Sequence, residues 1–131
     1  MKKKLLSLLL AAAMLLTLAA CGESPVTGTD ATATEPVVIL HTNDVHGAIE
    51  NYAKVAVLAD RYAADGAYVL VLDAGDYSQG DSTVILSQGA AAIELMNMVG
   101  YDAAALGNHE FDYGYEVLKT NMASAQFPVL A

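Results

Sequence analysis

The period of the apolar positions changes several times along this chain, and each change marks an element. Leu5 to Ala20 is apolar on every face, interrupted only by Ser7 and Thr17. Gly22 to Pro36 (GESPVTGTDATATEP) is small and polar with no apolar period, the pattern of a flexible linker. At Val37 the character switches to Val37-Val38-Ile39-Leu40, a β-branched run typical of a buried strand. Val55, Leu58, Ala59 and Tyr62 then recur at helical spacing up to Gly66, which predicts a helix over about residues 51–64. Tyr68 to Leu72 predicts a second strand. Ala92, Leu95, Met96 and Val99 predict a second helix, stopped by Gly100 in the position favoured after a helix end. Tyr101 to Leu106 is a weaker, alanine-rich strand, Tyr115, Leu118 and Met122 mark a third helix, and Pro128 opens a fourth strand. There is no internal repeat.

Strands alternating with helices from Val37 onward predict an α/β fold with a mainly parallel core sheet. Ligands of such sheets sit beyond the carboxyl ends of the strands. The polar clusters fall just there, at Asn43–Gly47, Asp73–Gly80 and Gly107–Gly114.

The first apolar run has a different meaning. Lys2, Lys3 and Lys4 precede it and small residues close it, and it is shorter than the roughly 20 residues of a membrane span. Basic, apolar and small in that order is the pattern of a secretory signal. The single cysteine, Cys21, directly follows Leu18-Ala19-Ala20, which resembles the lipobox of bacterial lipoproteins. That resemblance implies a signal peptide over residues 1–20, a lipidated Cys21 and a flexible tether over 21–36. It also implies export and a lipid anchor at the outer face of a bacterial cell membrane. Each buried acyl methylene contributes about 0.8 kcal/mol, so several chains can hold a soluble domain at a membrane.

Export alters the charge. The whole chain carries −9, and loss of the three N-terminal lysines leaves Lys54, Arg61 and Lys119 against 15 acids, a net charge of −12. Such a surface repels polymeric nucleic acid and offers it no basic groove. It repels phosphorylated small molecules too, unless cations intervene.

The three clusters supply groups for cations. Asp44 and His46 are two apart, so on an extended exit from the first strand both side chains point the same way and can reach one ion; a turn with a surface histidine is the plainer reading of Asp-x-His alone. His41 reads as a strand residue packing in the sheet. In the second cluster Gly75 allows a sharp turn that presents Asp76, whose two oxygens can bridge two metals. Asp73 competes for that role, or instead orients a histidine or caps a loop. In the third, Asn108 offers a neutral carbonyl oxygen, and His109 can act as a cation or acid with Asp112 holding its other nitrogen.

LHTNDVHG, DAGDYSQG and ALGNHEFDYG together resemble the first three metal-site blocks of the calcineurin-like metallophosphoesterases. More narrowly they resemble the bacterial 5′-nucleotidase and 2′,3′-cyclic phosphodiesterase branch. The resemblance implies the N-terminal half of a metallophosphoesterase sandwich over residues 37–131. It implies that Asp44 and His46 bind a first metal, Asp76 bridges to a second and Asn108 binds the second. His109, paired with Asp112, would stabilise the transition state or protonate the leaving oxygen. Two divalent ions (Mn, Zn, Fe or Mg) about 3.5–4 Å apart would activate a hydroxide for in-line attack on a nucleotide phosphoester. Cys21 is committed to lipidation, and Ser78 and Ser82 have no adjacent base in sequence, so no side-chain nucleophile is implied.

The chain also departs from that family. Its three histidines, His41, His46 and His109, leave none for the later histidine blocks, and nothing corresponds to a separate nucleoside-binding domain. The expectation is therefore an incomplete fragment, inactive alone and with an apolar edge of its sheet left open. Two alternatives stand beside it. One is a non-catalytic surface lipoprotein; the other is the same site acting on a cyclic nucleotide, a sugar phosphate or a sulfur ester.

Overall fold

The computed structural model describes residues 34–131. The expected signal peptide, Cys21 and most of the linker lie outside the described residues. Four strands follow in order: β1 (Val37–Thr42), β2 (Tyr68–Asp73), β3 (Ala103–Ala105) and β4 (Val129–Leu130). They pair in parallel in the spatial order β1-β2-β3-β4, with Val37 opposite Tyr68 and Thr42 opposite Asp73. The parallel α/β architecture expected from the alternating pattern is present.

Helix α1 (Glu50–Ala64) connects β1 to β2, α2 (Ser82–Leu86) and α3 (Ala90–Val99) connect β2 to β3, and α4 (Tyr115–Ser124) connects β3 to β4. The spacing read α1, α3 and α4 to within a few residues. It did not show α2, which is a single turn and a half with too few positions for a period. Asp81 starts that helix, its carboxylate accepting the Thr83 N–H at 2.8 Å, and Gln88 and Gly89 end it at positive φ. Gly100 closes α3 in the left-handed conformation, as its position after Val99 predicted.

A crossover of fixed hand repeated in one direction puts successive helices on one face of a sheet. Val69, Val71, Ala104 and Val129 face those helices and meet Tyr52, Ile93 and Met96, which are at most 1% exposed. The opposite face carries Val37, Ile39, Tyr68 and Leu130, all more than half exposed. This corrects the reading of Val37–Leu40 as a buried strand. Burial in β1 alternates, so only every second residue of the run is covered. His41 lies on the open face and is exposed, not packed in the sheet as its strand position had suggested.

Candidate metal centre

Beyond the carboxyl ends of β1 and β2 the chain does not simply leave the sheet. The Ala74 N–H donates to Thr42 O at 2.9 Å, Asp44 N–H to Gly75 O at 3.1 Å and His46 N–H to Asp76 O at 3.2 Å. These bonds sew the two loops together past the last strand pair. Asp44 and His46 therefore take φ of 51° and 46°, in the left-handed region. Their side chains do converge, with His46 Nε2 at 3.4 Å from Asp44 Oδ1. The cause is a left-handed turn on each side of the buried Val45, however, and not the extended exit that the two-residue spacing suggested. The Asn43 amide donates to the other Asp44 oxygen.

Asp76 also sits at positive φ, 61°. Non-glycine residues held there cost about 1–3 kcal/mol each and persist where surroundings over-determine them. Here the surroundings are the third loop. Its backbone approaches so closely that a Cβ on Gly75 would fall 2.5 Å from Gly107 N, and one on Gly107 would overlap the Asp76 carboxylate. The His109 N–H donates to Asp76 Oδ1 at 2.9 Å. Glu110, which no sequence pattern singled out, is 3% exposed and accepts four backbone N–H groups. Its Oε2 takes those of Gly107 (2.6 Å) and Asp76 (3.0 Å), and its Oε1 those of Tyr77 (2.9 Å) and Ser78 (3.1 Å). These four bonds tie the loop that carries Asp76 to Glu110 and hold Asp76 in its left-handed conformation. A glutamate reaching back three residues to a backbone N–H is the signal that reading along the chain passed over.

Asp73 takes the loop-capping role among those its sequence position left open. It is buried at 5% exposure, accepts the Gly75 N–H at 2.7 Å and the Thr42 hydroxyl at 2.5 Å, and stays out of the donor cluster. The same Thr42 hydroxyl is 2.8 Å from the Tyr101 hydroxyl. Burial pushes the Asp73 carboxyl up to about 6, against the lowering effect of these bonds.

Three loops thus bring His46, Asp76 and His109 together, with one donor atom of each lying within 4.8 Å of the others. The two imidazoles meet edge to face at 5.0 Å. His109 Nδ1 is 2.7 Å from Asp112 Oδ2, which leaves Nε2 for a substrate or cation. That hydrogen bond raises the His109 pKa above its ordinary value and holds the Asp112 carboxyl below its own. Gln79, also unremarked in the sequence, donates to the same Asp112 oxygen at 2.8 Å. Asn108 sits at the start of the 3-10 turn His109–Phe111, is exposed, and makes no capping bond with its side chain. Carboxylate, imidazole and amide donors without a thiolate suit Mn, Zn, Fe or Mg. Acids and histidines held this close, in strained backbone, fit a site for such cations.

A parallel sheet whose carboxyl-end loops hold a carboxylate and imidazole cluster defines the class, an α/β protein with a candidate divalent-cation centre at its sheet edge. The model of the calcineurin-like phosphoesterase family matches residues 37–128, and the chain belongs to that family. It is similar to the 5′-nucleotidase of Vibrio cholerae serotype O1, at 37% identity over 97% of this chain and 25% of that protein. Among solved structures it is similar to a 5′-nucleotidase precursor from Thermus thermophilus, with 34% identity, a TM-score of 0.66, and coverage of 71% of this chain and 21% of that one. The NAD nucleotidase of Haemophilus influenzae shows 31% identity and a TM-score of 0.64 over 71% of this chain and 20% of that one. The chain spans about a quarter of the length of the curated relatives it matches first.

Proposed function

We propose that this chain forms part of a metal-dependent phosphoester hydrolase acting on nucleotides. The observation that carries the reading is the cluster of His46, Asp76 and His109 on the scaffold of this family. The names of the relatives, 5′-nucleotidases and an NAD nucleotidase, support a nucleotide over a sugar phosphate or a sulfur ester.

Asp44, His46, Asp76 and Asn108 would hold two divalent cations. When bound, such ions clamp phosphate oxygens, offset the negative charge of the substrate and make a water more acidic. The protein supplies the rest. Asp76, tied through Oδ1 to the His109 N–H, keeps one oxygen turned into the cluster. His109, with Nδ1 held by Asp112, presents Nε2 towards a leaving oxygen and keeps its proton there to higher pH than an ordinary histidine. Gln79 steadies Asp112 by donating to the oxygen that His109 Nδ1 also meets.

In the natural full-length protein, Asp76→Ala is expected to abolish metal-dependent hydrolysis of p-nitrophenyl phosphate and AMP while leaving export intact. Undiminished turnover would overturn the metal-site reading. The proposed anchor has its own test: Cys21→Ser should release the protein into the medium, and retention in the membrane fraction would argue for an uncleaved signal anchor.

A further inference from the structure

We propose that Glu110 is a positioning residue for the cation centre, an internal carboxylate that sets the direction of Asp76 through the backbone. This rests on the metal-site reading proposed above. Each of its oxygens accepts two backbone N–H groups, so the roughly four acceptor directions of a carboxylate are all filled by main chain. At 3% exposure it is closed off from solvent. What it does reach is the N–H of Asp76 and of the next two residues on one loop, and of Gly107 on the other.

The consequence falls on Asp76. Its N–H is held by Glu110, its carbonyl by the His46 N–H and its Oδ1 by the His109 N–H. Relaxation of Asp76 from its φ of 61° to the common negative region would swing the carboxylate away from His46 and His109. That motion must first break the Asp76, Tyr77 and Ser78 bonds to Glu110. The same carboxylate also holds Gly107, and so sets the distance between the loop that carries Asp76 and the loop that carries Asn108 and His109. A neutral amide of the same shape cannot replace it. Glu110→Gln would turn an NH2 donor against two of the four N–H donors.

The test uses Glu110→Gln in the natural full-length protein, with Mn2+ affinity read by electron paramagnetic resonance of the free ion and kinetics on AMP. Changes to groups that orient metal ligands cost about 10–100-fold. The expected result is a Mn2+ dissociation constant raised by about that factor, kcat lowered alongside it, KM nearly unchanged and a melt that stays cooperative. Glu110→Asp keeps the charge but is one methylene short, and should fall between wild type and Glu110→Gln. Should the Glu110→Gln variant fail to fold, Glu110→Asp carries the same readouts. A folded variant with unchanged Mn2+ affinity and kcat overturns the inference. So does a variant that loses only thermal stability, because Glu110 would then serve the fold alone. If Asp76→Ala also left Mn2+ binding and turnover untouched, the metal-site reading itself would have failed; if Asp76→Ala abolished both while Glu110→Gln changed neither, only the positioning role would fall.

Discussion

Under the helices, Tyr52, Ile93 and Met96 meet by apolar contact and are at most 1% exposed. At the carboxyl edge of the strands, Asp44, His46 and Asp76 keep positive φ and are held by hydrogen bonds between loops. The first region stabilises by area removed from water and by close packing. The second gives part of that stability up in strained backbone and close-set polar groups, and gains a fixed direction for each side chain. Damage to the two regions should therefore separate cleanly into lost chemistry and lost stability.

The largest effect is expected at the edge. On the proposed function, in which His109 is the acid, His109→Ala in the full-length protein should lower kcat on AMP by about 10²–10⁴-fold, the usual contribution of a positioned acid. Its side chain is about one-third exposed, so the denaturation midpoint should barely move. A large fall in stability would show that the edge is part of the core after all. In the core, Met96→Ala should cost about 2–5 kcal/mol in a denaturant titration, with kcat of the folded fraction retained. Equal losses in both measurements would erase the distinction.

Asp73 lies where the two regions meet, and it sharpens the comparison through pH. Its folded carboxyl is raised from 3.8 to about 6, with burial the main cause. The folded state therefore binds this proton more tightly than the unfolded chain. Its contribution to stability is fully present below about pH 4, declines as pH rises through about 6, and is absent above that. Across the window the change is roughly 2–3 kcal/mol. Asp73→Asn should lack it, so wild type minus variant stability, measured in chelator at a series of pH values, should fall by that amount between about pH 4 and pH 7. A constant difference would mean that Asp73 does not titrate there.

Much of this was legible in the chain itself. Among the described residues, short apolar runs and Pro128 located the four strands, and helical period located three of the four α-helices, because a helix of ten or more residues repeats often enough to be seen. Local chemistry placed the polar clusters after the strands and drew attention to Asp44, His46, Asp76, Asn108, His109 and Asp112, which the structure puts on three neighbouring loops. The stop at Gly100 followed from its lack of a side chain.

Relations between loops were not legible. Two-residue spacing suggested an extended arm for Asp44 and His46, and left-handed turns bring them together instead. Which face of β1 is covered depends on the hand of the crossovers, and a run such as Val37–Leu40 does not carry that information. Glu110 looked like one more polar residue because its four partners are backbone N–H groups, three of them more than thirty positions away. The order of side chains along the strand determined which chemical groups this protein has and which end of the sheet they occupy. Only the tertiary structure decided how they are aimed, because aim depends on backbone hydrogen bonds between segments that are distant in the chain and that no local pattern encodes.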